Sequence, residues 1–150
     1  MSPHDSYLLE KARKYCAYQE RCFFDVKTKL KQWQASEETI EKIIRQLEKE
    51  DFLNEERYAI AFAIGKFRNN GWGKNKILYA MAQKGVPELY IQMGLNEIKD
   101  EENIKKLKAI LSKKKIDVKD EYLRNAKLVN FAVQRGFQAS LAWKVVRGEL

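Results

Sequence analysis

The chain has 150 residues, 45% of them hydrophobic and 33% charged, with a net charge of +8 at pH 7. That length fits one ordinary domain or a short array of smaller units, and seven glycines and two prolines supply too few turns for a many-stranded sheet. No apolar run approaches membrane-spanning length, and Met1-Ser2-Pro3-His4-Asp5 lacks the charged-then-apolar pattern of a secretion signal, so a soluble cytoplasmic protein is expected.

The charge is unevenly placed. Residues 1–56 carry 10 basic and 12 acidic side chains, whereas residues 57–150 carry 19 basic and 9 acidic. A basic body with an acidic shoulder suits a polyanionic or acidic partner, the alternative being a solubilising surface. Cys16 and Cys22 fall in one helical region, where six residues span about 9 Å, too far for an unstrained disulfide. Reduced, packed thiols are expected, as in the cytoplasm.

In chain order, a first helix is expected from Asp5 or Ser6, with Leu8, Ala12, Tyr15 and Cys16 on its buried face. A second covers Phe24 to Trp33 on a stripe of Val26, Leu30 and Trp33. Ser36 caps a third, which buries Ile40, Ile43, Ile44 and Leu47. Asn54 caps a fourth, with Leu53 and Tyr58 placed as a hydrophobic staple and Tyr58, Ala61, Phe62 and Ile64 facing inward until Asn69-Asn70-Gly71. A fifth runs from Gly73 to Lys84 over Ile77, Leu78 and Met81 and stops at Gly85. Pro87 opens a sixth, through Ile91, Leu95 and Ile98, which Gly94 weakens by about 1 kcal/mol relative to alanine.

Acids at 100–102 and lysines at 113–115 complement the dipole of a seventh helix carrying Ile104, Leu107, Ile110 and Leu111. Asp120 starts an eighth, through Tyr122, Leu123, Ala126, Val129 and Ala132, ending at Gly136. Leu141, Val145 and Val146 mark a short ninth. Sliding the chain by 51 residues superimposes Val26, Ile77 and Leu128, then Leu30, Met81 and Ala132, then Ile40, Ile91 and Ala142, then Ile44, Leu95 and Val146. Gly85 and Gly136 coincide at a helix stop where the first copy has Gln34. The expectation is an all-α fold without a sheet, three tandem three-helix repeats of about 5–53, 54–99 and 100–150 forming an elongated, curved body.

These residues resemble the RecX family of recombination regulators. The resemblance lies in Leu53-Asn54-Glu55-Glu56-Arg57-Tyr58-Ala59, in Gly73-Lys74 through Ile77 to Lys84-Gly85-Val86, in Glu20-Arg21 leading to Lys29-Leu30, and in Lys127 to Arg135-Gly136-Phe137. It covers about residues 7–147. Cys22 stands where a small polar residue is usual before the second helix, and Gln34 replaces the glycine of the first turn. The resemblance implies tandem three-helix units that bind the RecA filament on DNA and restrain strand exchange, ATP hydrolysis and co-protease activity, and so act in DNA repair, recombination and the SOS response.

The residues themselves offer little chemistry. His4 is the only histidine, the cysteine spacing matches no zinc site, and no glycine-rich phosphate loop ends in Lys-Ser or Lys-Thr, so no enzyme, metal or cofactor is expected. The acid-free stretch after Glu56 holds Arg57, Lys66, Arg68, Lys74, Lys76 and Lys84 as candidate partner- or DNA-binding residues. Arg57 suits either a bridge within the protein or a partner's acid; Tyr58 reads as core, and Trp72 as packing at a turn with stacking on a base as its second reading. Lys74 and Lys76 oppose the dipole at a helix start, which makes an anion site or a solvated face. Lys113, Lys114 and Lys115, then Arg124, Lys127 and Arg135, extend the basic footprint without any base-reading motif. A monomer is expected, contacting DNA backbone within the filament and binding free DNA weakly. An independent, non-sequence-specific nucleic-acid-binding module is the alternative, and a generic helical scaffold a third reading.

Overall fold

The computed structural model describes residues 1–150 as nine α-helices with no strand. They are α1 (Pro3–Tyr18), α2 (Phe23–Gln32), α3 (Glu37–Lys49), α4 (Glu55–Asn70), α5 (Lys74–Gln83), α6 (Glu88–Asn96), α7 (Asp100–Lys113), α8 (Glu121–Gln134) and α9 (Ala139–Val146). Side-chain caps explain several starts: Ser36 accepts from Thr39 N, Asn54 from Arg57 N and Asp120 from Leu123 N. The first helix begins earlier than Asp5, because Ser2 accepts from Asp5 N and Pro3 suits the first turn, where its missing N–H costs nothing.

Three apolar clusters follow one another along the chain. The first joins Leu8, Ala12, Val26, Leu30, Ile43 and Leu47; the second joins Tyr58, Ala63, Ile77, Met81, Ile91 and Leu95; the third joins Leu107, Val129, Ala132, Phe137 and Ala142. Fully burying one such large aliphatic side chain contributes about 1.5–3 kcal/mol. Cys22, from the first set of helices, is buried in the second cluster and so knits the two together. Burial pushes the Cys16 thiol up to about 11 and Cys22 to about 12, which leaves both unreactive at neutral pH.

The 51-residue period is visible in backbone geometry as well as in burial. Gln34, Gly85 and Gly136 all have positive φ, at 63°, 71° and 100°. Each is followed by the same pair of bonds closing a helix: Gln34 N to Lys31 O and Ala35 N to Leu30 O, Gly85 N to Ala82 O and Val86 N to Met81 O, Gly136 N to Val133 O and Phe137 N to Ala132 O. This is the Schellman stop, repeated three times in register.

Two expected faces differ from the fold. Ala61 is exposed, while Ala59, Ala63 and Phe67 form the buried seam of α4. The reason is Gly94: a Cβ there would lie 2.6 Å from the carbonyl oxygen of Ala59, so α6 packs backbone-close against the alanine side of α4. Gly94 is therefore a packing requirement rather than a weakness in its helix. Tyr122 and Leu123 are also exposed, because only Val129 and Ala132 of α8 are fully enclosed.

The molecule exposes 9424 Å², whereas a compact monomer of this mass exposes about 7,900 Å². Three small cores in series, each covered by only three helices, produce that excess surface.

A candidate nucleic-acid interface on the middle unit

The acid-free stretch of sequence folds into α4, the following turn and α5. Tyr58, Phe62 and Lys66 are four residues apart on α4, a spacing that stacks them along one face. The Tyr58 and Phe62 rings lie 5.5 Å apart, and Trp72, on the turn, meets Phe62 edge-on at 6.3 Å. Cations fill the spaces between the rings. Lys84 Nζ is 6.0 Å from the Tyr58 ring and 5.9 Å from Phe62; Lys66 Nζ is 5.6 Å from Phe62 and 5.0 Å from Trp72; Lys76 Nζ is 4.7 Å from Trp72. Each such contact is worth about 0.5–1 kcal/mol at an exposed site, enough to orient a lysine without neutralising it.

The three lysines differ in their partners. Lys84 reaches across to Asp25 of α2 at 2.9 Å and lies 3.5 Å from the Tyr58 hydroxyl. Lys66 and Lys76 make no ion pair, so their charges are available to an incoming anion. The Tyr58 phenol is buried, which raises its pKa and keeps it neutral.

The remaining candidates are distributed elsewhere. Arg57 donates from Nε to Glu20 at 2.6 Å and pairs with Asp51 at 3.1 Å, clamping the end of α1 and the α3–α4 turn to the start of α4. Of its two readings, the bridge within the protein is the one whose partners are in place. Beside it, the buried Glu55 carboxylate accepts from Phe23 N at 2.7 Å and so caps α2 from outside that helix. Arg68 lies 3.9 Å from Glu102, and Arg135 donates to Asn70 O at 3.4 Å while covering Phe131. Lys114 also lies over the Phe131 ring, 4.6 Å from its centroid. Arg124 bonds the Val118 carbonyl at 3.3 Å. Lys113, Lys115 and Lys127 are exposed, and Lys74 stands at the wall of a cavity of about 470 Å³ with Asn103, Phe137 and Lys144.

The aromatic members of the row, Phe62 and Trp72, read first as packing residues in the sequence, and they do pack; their half-buried rings carry the lysines as well. The four-residue spacing from Tyr58 through Phe62 to Lys66 is the signal that could have found this face, but in the sequence both rings read as facing inward. No group of three or more His, Cys, Asp or Glu side chains is placed to hold a metal ion, and no helix is long and apolar enough to cross a membrane.

Residues 54–95, the part of the chain that contains this row, match the model of the RecX second three-helix domain. Over 131 residues the chain is 30% identical to the regulatory protein RecX of Prosthecochloris aestuarii, covering 87% of this chain and 85% of that one. The chain belongs to the RecX family. It is also 31% identical over 129 residues to the regulatory protein RecX of Clostridium perfringens strain SM101, covering 82% of this chain but 59% of that relative. It thus spans little more than half the length of the RecX proteins of Clostridium perfringens and Clostridium botulinum. Two solved RecX structures share the fold. One, from Lactobacillus salivarius, superposes with a TM-score of 0.80 at 20% identity over 97% of this chain and 96% of that one. The other reaches 0.86 at 22% identity over 96% of this chain and 73% of that RecX chain.

Proposed function

We propose that this RecX-family chain is a non-enzymatic regulator that binds the RecA–DNA filament and inhibits RecA recombinase, ATPase and co-protease activity, and that it works in the cytoplasm as a monomer. The observation that carries the reading is the charge arrangement on the middle unit: Lys66 and Lys76 stand unneutralised on an aromatic row. The acidic α3 and α3–α4 turn precede it in the chain, where residues 37–56 hold eight acids and three bases. A filament offers both a phosphate backbone and protein surface to such a split face, and backbone contacts need no sequence-reading element. The name regulatory protein RecX, borne by the relatives above, supports the same assignment.

The test is a RecA ATPase and strand-exchange assay titrated with the full chain, in parallel with co-sedimentation against RecA–DNA filament, RecA alone and naked DNA. The expected result is inhibition with retention on the filament. Uninhibited RecA at several-fold excess of the chain overturns the proposal. A second reading, an independent nucleic-acid-binding module, draws on the same aromatic–cation row. It predicts tight binding to naked single strands, with a log–log salt slope of about −0.7 per contacted phosphate.

A further inference from the structure

Between α1, the α1–α2 turn and α4 lies a groove of about 430 Å³ beside the aromatic–cation row. Its walls carry the rings of Tyr15, Tyr58 and Phe62, the cations Arg21, Lys66 and Lys84, and the amides of Gln19, Asn69 and Asn70. Its acids are already engaged, Glu20 with Arg57 and Asp25 with Lys84, which leaves Arg21 and Lys66 without a carboxylate partner. Its lining also includes Gly65, in the third turn of α4.

That glycine has no reason to be one inside the chain. A Cβ at Gly73, Gly94 or Gly136 would collide with neighbouring backbone, but a Cβ at Gly65 would meet nothing within 4 Å. Glycine in mid-helix is unfavourable relative to alanine, and no positive φ calls for it here. What the missing side chain provides is open space in the groove that Phe62 and Lys66 also line.

We infer that this groove is a seat for one unpaired base of a single-stranded nucleic acid, the base lying over Gly65 against the aromatic wall, with Lys66 and Arg21 taking the flanking phosphates. Charge complementarity selects a polyanion. The aromatic wall selects a polyanion with free π faces, since stacking on protein rings is available only to bases not already stacked in a duplex. The amides offer donors and acceptors to a base edge without demanding one base, so single-strand preference is expected with little sequence preference. The inference rests on the proposed reading of the Lys66–Lys76 row as a nucleic-acid face and adds the strand state and the base seat.

The experiment is fluorescence anisotropy of the full chain with a labelled oligothymidylate and with a duplex of equal length, at one low salt concentration. Gly65→Leu puts a strong helix former into the groove at a position where a Cβ meets nothing within 4 Å, and helicity and melting temperature verify its fold. Wild type is expected to prefer the single strand. Gly65→Leu should lose about tenfold in single-strand affinity, the magnitude of one lost base stack, while duplex binding stays as it was. Lys66→Glu should weaken both. If Lys66→Glu weakens binding but Gly65→Leu changes neither affinity, the row stands and the base seat is overturned. If neither substitution matters, the row itself is not the nucleic-acid face and both readings fail. Should Gly65→Leu abolish retention on a RecA–DNA filament while sparing the free single strand, the groove's occupant is a protein segment, which also overturns the inference.

Discussion

Gln34 occupies the left-handed conformation that its counterparts Gly85 and Gly136 adopt without penalty. A side chain in that region costs roughly 1–2 kcal/mol, part of which the greater chain entropy of glycine offsets. Gln34 is exposed and makes no side-chain hydrogen bond, so Gln34→Gly should stabilise the protein by about 0.5–1 kcal/mol, measured by urea unfolding. Titrating carboxyls give a second expectation. Arg13 and Gln46 hold the Glu50 carboxyl down at about 2, so its contribution is full above the ordinary carboxylate range and is lost as pH falls toward 2. Burial raises the Glu55 carboxyl, the Phe23 N–H bond opposing only in part, so the folded state retains a proton longer than the unfolded chain and stability declines as pH rises above the ordinary range. Melting temperature against pH should therefore fall less steeply on its acid limb in Glu50→Gln and flatten above that limb in Glu55→Gln. An unchanged profile in both would show that neither carboxyl is coupled to folding.

Helices in this molecule are joined by two kinds of contact. Between the first and second sets, the links are side chains: Arg57 with Glu20 and Asp51, Lys84 with Asp25, and Glu55 on Phe23 N. Between the second and third, side-chain links such as Arg135 on Asn70 O are joined by direct backbone bonds: Gly73 N donates to Arg135 O at 2.7 Å and Asn75 N to Gly136 O at 2.9 Å. The second joint depends on two glycines. A methyl group on Gly136 would lie 2.5 Å from Lys76 Cβ and 2.6 Å from its nitrogen, at a φ of 100° that alanine resists. Gly136→Ala should cost about 3 kcal/mol by overpacking and backbone strain, read as a lower urea midpoint, whereas Gly85→Ala, with nothing within 4 Å, should cost only the strain of its positive φ. Equal losses in the two variants would argue against the backbone joint.

As a whole the chain is three small cores in series rather than one large one, and its surface is correspondingly generous at 9424 Å². A compact fold of this length has a radius of gyration near 15 Å; small-angle scattering should give a clearly larger value, and a result at the compact figure would contradict the extended arrangement. The series arrangement also spreads charge along the body, so that acidic helix α3 and the unneutralised lysines of the middle unit occupy different stations. That separation lets one body meet surfaces of opposite sign.

Much of this was legible in the residues because it is local physics. Caps at Ser36, Asn54 and Asp120, the glycine stops and the three- and four-residue apolar spacing are decided within a few residues of themselves, and they determined nine helices in a 51-residue period. The positions Leu30, Met81 and Ala132, aligned by that period alone, are all fully buried. What the tertiary structure decided were distances between residues far apart in the chain. Gly94 and Gly65 look alike in sequence, each a glycine inside a helix, yet one is pressed against Ala59 and the other opens on a groove. Arg57, Lys66 and Lys76 look alike as cations in an acid-free stretch, yet Glu20 and Asp51 take up the first and Trp72 presents the other two. Periodicity tells which face of a helix is wet. Whether a wet charge is spent inside the molecule or left for a partner depends on which acids the packing of other helices brings within reach, and that is a property of the assembled fold.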